Sequence, residues 1–279
     1  MSEFNEFVNI YNNAVNIYRK YIGKRYVNQH VKSIRLTSNE YKFLNDYLYG
    51  KFFENFNELK NKDRKYDNPY GEVTYEGFNV LLRELNLREK DVFVDMGSGV
   101  GQLLFQASAL TEVEKVIGIE SLSYPINKSR EMKKEFIKLM RFGRFLHCPI
   151  TLLEGDFFDN QFKKYINEGT HLLIHSSNRS PQFYYDMEEK IIRNLSDGTK
   201  FLSSTTFRVS RTINKRNVNN VGSILKVLKE ITERNLVSYK DAEATFTLYL
   251  VDRRDVKMYL REKEFDKRRR RSPRFLNFI

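Results

Sequence analysis

Apolar positions recur at two different spacings along this chain of 279 residues. Over residues 1–66 they return every three or four positions, the period of an amphipathic helix, as at Phe4, Phe7 and Tyr11. From residue 91 onward, short apolar runs alternate with stretches of helical period, which predicts strands separated by helices. Predicted strands cover 92–94, 116–120, 150–153, 171–175, 199–203 and 245–251, and predicted helices cover 77–85, 128–142 and 221–230, with a further helix from about 102.

This alternation predicts an α/β fold, in which a mostly parallel sheet carries helices on both faces. Residues 67–71 combine Asp, Asn, Pro and Gly, which is turn chemistry and marks a break in the chain. We therefore expect an N-terminal helical subdomain over 1–66, an α/β domain over 67–260 and a basic C-terminal tail over 261–279.

The most informative motif follows the first predicted strand, where a glycine turn at 97–101 comes directly after Asp95. In open α/β sheets, a strand, a glycine turn and a helix together bind adenosine-type ligands. Glycine allows the ligand to approach the backbone closely, where a Cβ atom would collide. Both dinucleotide-dependent dehydrogenases and S-adenosyl-L-methionine-dependent methyltransferases place an acid about twenty residues later to bind ribose, and Glu120 fills that position.

Two observations favour the methyltransferase. The spacing Gly-x-Gly-x-Gly departs from the dinucleotide fingerprint Gly-x-Gly-x-x-Gly. After the third predicted strand, Asp156 can hold an adenine amino group while Phe157 packs on the ring. Each residue also has a purely structural reading: the glycines as turn formers, Glu120 as a helix cap or surface acid, and Asp156 as the cap of the following helix.

The charge and the single cysteine restrict the partners and the compartment. The net charge of +12 indicates a polyanionic partner, and residues 267–271 form a basic block. That block should stay disordered alone, and it is read as a solvated tail, a nuclear localisation signal or a nucleic-acid-binding arm. Cys148 cannot form an intrachain disulfide, which fits a reducing compartment, and we expect it to be structural. We expect no transmembrane segment, since no apolar run approaches roughly 20 residues, and no signal peptide.

From about residue 69 to residue 253 the chain resembles the disruptor-of-telomeric-silencing family of non-SET histone H3 lysine methyltransferases. The matching motifs are Tyr70-Gly71-Glu72, residues 91–102, Gly118-Ile119-Glu120, residues 154–157 and the closing segment 250–253. The resemblance implies a Rossmann-like class I methyltransferase sheet, S-adenosyl-L-methionine as cofactor, and a loop at Tyr70 that closes over it. It also implies that Arg216, in the loop 212–217, anchors the protein to the nucleosome acidic patch.

The acceptor half departs from the family pattern. Where the family has Asn-Asn-Phe-x-Phe after its fourth strand, this chain has Ser176, Ser177 and, at the second aromatic position, Ser180. The paired tyrosines of the family fall at Phe246 and Thr247. Three outcomes stay open: an active histone methyltransferase with a changed channel, a methyltransferase for another substrate, or a cofactor-binding chromatin protein with little activity.

The leading hypothesis is a nuclear, nucleosome-directed protein-lysine methyltransferase without a metal. The predicted acceptor-site residues are Ser176, Ser180 and Phe246. The predicted cofactor-binding residues are Tyr70, Glu72, Asp95, Gly97, Gly99, Gln102, Glu120, Asp156, Phe157 and Ser177. The predicted nucleosome-binding residues are Arg216, Lys267, Arg268, Arg269, Arg270 and Arg271.

Overall fold

The structure is a computed structural model that describes residues 2–22, 34–53, 72–175, 180–238 and 243–271. Its helices are α1 (Ser2–Ile22), α2 (Ser38–Phe52), α3 (Tyr75–Leu85), α4 (Gln102–Leu110), α5 (Ser123–Gly143), α6 (Lys163–Glu168), α7 (Pro181–Asp186) and α8 (Arg254–Arg271). Its strands are β1 (Val92–Met96), β2 (Lys115–Glu120), β3 (Ile150–Glu154), β4 (His171–Ile174), β5 (Lys200–Ser203), β6 (Leu225–Glu233) and β7 (Ala244–Val251).

The strands form one seven-stranded sheet in the order β3-β2-β1-β4-β5-β7-β6. The first five strands are parallel, and β7 runs antiparallel to both of its neighbours. Because β1 lies between β2 and β4, the segments that leave the carboxyl ends of these strands meet at one edge of the sheet. The predicted mostly parallel sheet is confirmed, and this edge carries the candidate site.

Alternate residues of the strands enter two cores, one on each face of the sheet. Phe93 and Leu173 pack into the first core, whereas their neighbours Val94 and Leu172 pack into the second. Parallel strands are buried on both faces and therefore read in the sequence as continuous apolar runs. Cys148 belongs to the first core, and burial raises the pKa of its thiol, as expected of a structural cysteine.

Helix α2 packs its apolar stripe onto the first core through Tyr41, Leu44 and Leu48. The hydroxyl of Tyr41 donates to the backbone carbonyl of Gln102 over 3.4 Å, at the start of α4. A capping box between Thr37 and Glu40 begins the helix. The predicted helical character of the N-terminal region is thus confirmed for α1 and α2, and the turn predicted at 67–71 lies outside the described residues.

Two predictions about individual elements were wrong. Residues 221–230 form a short 3-10 turn followed by strand β6, not a helix. Val221, Ile224 and Leu228 have helical spacing, but the pairing of Leu225–Glu233 with β7, interrupted only at Leu228, overrides this local pattern. The basic block was expected to be disordered alone, yet α8 continues through it to Arg271, because Lys, Arg and Glu are all good helix formers. Among the described helices, none is both long and apolar enough to cross a membrane.

Candidate functional site

The glycine turn leaves β1 with three residues in the left-handed region of backbone space. The φ angles of Gly97, Gly99 and Gly101 are 89°, 53° and 81°, which other residues adopt only with strain. A Cβ atom built on Gly97 would meet no described atom within 4 Å, so open space lies over the turn at that point. The turn has the shape that a ligand approaching the backbone requires.

Glu120, at the end of β2, is held by two backbone N–H groups. The N–H of Gly99 donates to its Oε2 over 2.9 Å, and the N–H of Leu122 donates to its Oε1 over 2.8 Å. The residue is 7% exposed. The carboxylate is therefore fixed against the glycine turn.

Asp95 is buried beside this carboxylate. Burial, and secondly the negative charge of Glu120, raises the pKa of Asp95 to about 7. Nearby, the Oε1 atom of Gln102 and the Oγ atom of Ser98 are buried without a hydrogen-bond partner among the described residues. Buried polar atoms without a hydrogen-bond partner are costly and call for a partner. A cationic or hydrogen-bonding ligand group would satisfy this part of the site.

Asp156 and Phe157 follow β3, next to the end of β2 that carries Glu120. The N–H of Gly155 donates to the carbonyl of Glu120 over 2.9 Å, which joins the ends of β3 and β2. Oδ1 of Asp156 accepts the N–H of Phe158 over 2.9 Å, so this exposed side chain does shape the following turn. Phe157 is half-buried and packs on Phe158, with ring centroids 4.7 Å apart. The capping bond of Asp156 uses one oxygen, which is compatible with a ligand contact by the other.

Glu72, a predicted cofactor-binding residue, lies in the segment before α3. Its carboxylate is buried and accepts a hydrogen bond from the hydroxyl of Tyr49 over 3.0 Å. Its backbone is joined to Ser238, whose N–H donates to the Glu72 carbonyl over 2.8 Å. Tyr70, predicted to close over the cofactor, lies outside the described residues.

At the carboxyl ends of β4 and β5, a histidine faces a serine. Nδ1 of His175 lies 3.0 Å from Oγ of Ser204, and the imidazole packs on Phe246 with centroids 5.4 Å apart. Burial lowers the pKa of His175 to about 4, so the ring is neutral at neutral pH. The residue stands one position beyond β4, rather than inside the predicted strand. Phe246 and Thr247 are both buried.

The three serines that replace residues of the family's Asn-Asn-Phe-x-Phe motif divide into two groups. Ser176 and Ser177 lie outside the described residues. Ser180 is the N-cap of α7, and its Oγ accepts the N–H of Phe183 over 3.3 Å. This contact gives Ser180 a structural task, and its role toward a substrate stays a prediction.

The loop that carries Arg216 is braced by asparagines. Oδ1 of Asn214 accepts the N–H of Arg216 over 2.8 Å, and Nδ2 of Asn217 donates to the carbonyl of Thr212 over 2.7 Å. Arg216 is exposed and lines a cavity of about 660 Å³, together with Arg193, Arg208 and Arg211. Residues 267–271 lie in the last turns of α8, but their side chains are outside the described part.

Sequence reasoning missed Tyr49 and Ser204. Tyr49 lies in α2 at a position typical of helix packing, and Ser204 follows a strand without a motif. Nothing in their local sequence indicates the contacts with Glu72 and His175. Among the described residues, no group of three or more His, Cys, Asp or Glu side chains could hold a metal ion.

A sheet in this order, with a glycine turn after β1 and an acid at the end of β2, defines a class I S-adenosylmethionine-dependent methyltransferase fold. The model of the histone methylation protein DOT1 family matches residues 49–251. The chain belongs to this family, as the motifs in its sequence had implied.

Two relatives are both named histone-lysine N-methyltransferase, H3 lysine-79 specific. The Drosophila melanogaster protein is 27% identical over 191 residues, which are 68% of this chain and 10% of the relative. The Caenorhabditis elegans protein is 28% identical over 186 residues, which are 66% of this chain and 20% of the relative. The chain thus spans a fifth or less of the length of these two relatives.

A solved RNA methyltransferase from Salinibacter ruber, in complex with S-adenosyl-L-homocysteine, is 17% identical and superposes with a TM-score of 0.42. The match covers 65% of this chain and 94% of that chain.

Proposed function

We propose that this chain is an S-adenosyl-L-methionine-dependent protein-lysine N-methyltransferase that acts on histone H3 in nucleosomes. The observation that carries the proposal is the Glu120 carboxylate, held by the N–H of Gly99 at the carboxyl edge of the sheet. Membership in the DOT1 family and the names of the relatives supply the histone substrate. We also propose that the protein acts in the nucleus.

The chain's own residues fit the cofactor from one end to the other. Glu120 accepts hydrogen bonds from the ribose hydroxyls: the N–H of Gly99 holds its carboxylate against the glycine turn, and a carboxylate is an acceptor suited to both hydroxyls of a diol. Asp156 accepts from the adenine amino group, and Phe157 packs on the adenine ring. The buried carboxyl group of Asp95 and the buried Oε1 atom of Gln102, which has no hydrogen-bond partner among the described residues, suit the charged amino-acid end of the cofactor. Glu72, Tyr70 and Ser177 complete the proposed set with the turn glycines Gly97 and Gly99.

The bound cofactor supplies an electrophilic methyl group on a sulfonium, and the protein must present a neutral lysine amine to it. An environment that excludes water lowers the pKa of a lysine ammonium and favours loss of its proton. Phe246 is fully buried, and the neutral imidazole of His175 packs against it, so neither adds a charge to the channel. Together with Ser176 and Ser180, these residues form the proposed acceptor side.

A second function is favoured by the acceptor side itself. Ser180 caps a helix and Thr247 is buried in the sheet, so two positions that are aromatic in the family have other tasks here. The alternative is a catalytically weak or inactive paralogue that binds the cofactor and chromatin. For both functions, the proposed nucleosome contacts are Arg216 on the acidic patch and the basic end of α8 on DNA.

A methylation assay on reconstituted nucleosomes tests the proposal. The full chain is incubated with methyl-labelled S-adenosyl-L-methionine, and the labelled histone and residue are identified by peptide mass spectrometry. We expect label on a lysine of H3, and we expect Glu120→Ala to lose most of it while Glu168→Ala, an exposed acid on α6, retains it.

Cofactor binding is measured on the same preparations by calorimetry. Binding without label on any histone would reject the enzyme and leave the inactive paralogue. No cofactor binding by a folded wild-type protein would reject both functions.

A further inference from the structure

Three aromatic rings from two separate segments meet beside the proposed adenine position. Phe157 and Phe158 follow β3, and Phe183 comes from α7. The centroid of Phe183 lies 6.2 Å from that of Phe157 and 5.4 Å from that of Phe158. The ring plane of Phe183 crosses that of Phe157 at 80° and that of Phe158 at 73°, which is an edge-to-face arrangement that aromatic pairs prefer. The ring of Phe157 is thus braced by a residue that is remote in sequence.

Phe183 is itself fixed in place. Pro181 starts α7, and the Ser180 hydroxyl accepts the N–H of Phe183 in an N-cap. The ring is half-buried against the second core of the sheet. On the far side of the cluster, Nζ of Lys190 lies 5.6 Å from the centroid of Phe158. The position of Phe157 therefore depends on the conformation of α7.

We propose that Phe183 is a positioning residue for the adenine ring of the cofactor, acting through Phe157. This inference rests on the proposed function, because it takes Phe157 as the surface on which adenine packs. By holding Phe157 from the side, Phe183 removes the rotamer freedom that adenine would otherwise have to freeze on binding. The coupling is reciprocal, so a bound adenine stabilises α7 in turn.

The test compares two ligands by calorimetry: S-adenosyl-L-homocysteine and S-ribosyl-L-homocysteine, which lacks the adenine. We expect Phe183→Ala to weaken binding of the first by roughly three- to tenfold, as the loss of an edge-to-face contact implies, and to leave the second unchanged. Phe183→Leu keeps much of the packing volume, so its affinity for S-adenosyl-L-homocysteine should lie between those of Phe183→Ala and the wild type. Tyr185→Ala is the matched control, since Tyr185 is on the same helix but 61% exposed, and it should bind both ligands like the wild type.

Hydrogen exchange of α7 provides an independent readout. We expect S-adenosyl-L-homocysteine to slow exchange over 181–186 in the wild type and in Tyr185→Ala, but not in Phe183→Ala. Equal losses for both ligands, or affinity for S-adenosyl-L-homocysteine within twofold of the wild type, would overturn the inference while leaving the proposed function intact. Absence of binding by the wild type would overturn both. If Phe183→Ala is unfolded, the same comparison is made with Phe183→Leu.

Discussion

A carboxyl group as deeply buried as that of Asp95 destabilises the folded chain whenever it is charged. Its pKa is raised from 3.8 to about 7 by burial and by Glu120, so the folded state binds the proton more tightly than the unfolded chain. The unfolded chain loses this proton near pH 4 and the folded protein only near pH 7. Stability without cofactor therefore falls as the pH rises through this window, by at most about 4 kcal/mol.

Replacing Asp95 with asparagine should remove this pH dependence. Asparagine has nearly the shape of the protonated acid but does not titrate, so the Asp95→Asn variant should lose less stability than the wild type between pH 5 and pH 8. The free energy of unfolding is measured in urea at several pH values without cofactor. Asp156→Asn, at an exposed acid, is the control and should follow the wild type. Parallel curves for Asp95→Asn and the wild type would contradict the burial argument.

The predictability of the site differs from residue to residue for a physical reason. The glycine turn and Glu120 could be predicted, because a strand, a turn and a second strand place them together through local chain geometry. The contact between Tyr49 and Glu72 could not, since it depends on how α2 packs against the sheet domain. The same holds for Phe183, which reaches Phe157 only because α7 folds back toward the end of β3.

At the scale of elements, one close approach fixes the segment that carries Glu72. The N–H of Thr74 donates to the carbonyl of Leu236 over 2.9 Å, just before α3 begins. A Cβ atom on Gly77 would lie 2.5 Å from that carbonyl oxygen and 2.7 Å from the Leu236 Cα. Both are backbone atoms, which cannot turn aside like a side chain. Helix α3 can therefore dock here only because residue 77 is glycine.

The Gly77→Ala variant should be destabilised by about 1–3 kcal/mol, the usual range for forced overpacking. Gly50→Ala is a matched control, because Gly50 also lies in a helix but has no described atom within 4 Å of a built Cβ. It should be neutral or stabilised by up to about 1 kcal/mol, since alanine has the higher helix propensity. The free energies of unfolding of both variants and of the wild type are measured in urea at one pH. If Gly77→Ala were as stable as Gly50→Ala, the start of α3 and the backbone at Leu236 could move apart without loss of stability, which would contradict the prediction.

The elements themselves were predictable where the pattern agreed with the tertiary contacts. The buried parallel strands β1 to β5 are largely apolar runs and were identified within two residues of their bounds. Strand β6 was missed because it is an edge strand with only one neighbour, and most of its side chains are exposed. Residues 225–233 form a strand because they pair with β7, and this pairing is not visible in their local sequence. The local helical spacing was therefore misleading.

At the scale of the whole molecule, the net charge of +12 favours association with an anionic partner. The proposed nucleosome offers two anionic surfaces, DNA and the histone acidic patch. The braced loop around Arg216 and the basic end of α8 have different geometry, a rigid turn and a long helix. We therefore expect the two to respond differently to salt and to changes in the partner.

The family resemblance of the loop 212–217 implies that Arg216 binds the acidic patch. Asparagine hydrogen bonds hold the backbone of this loop, and the side chain of Arg216 is exposed. Arg216→Ala should weaken nucleosome binding tenfold or more, equivalent to roughly 1.4–2 kcal/mol for an anchor arginine. Arg88→Ala, which removes the same charge from an exposed loop before β1, is the control and should change affinity only slightly.

Affinity is measured by fluorescence polarisation on nucleosomes, on nucleosomes with a neutralised acidic patch, and on free DNA over a range of salt. The difference in affinity between Arg216→Ala and the wild type should disappear on patch-neutralised nucleosomes and on free DNA, because only the intact acidic patch presents the carboxylates. A loss that persists on free DNA, with a salt slope reduced by about one, would instead place Arg216 on a phosphate.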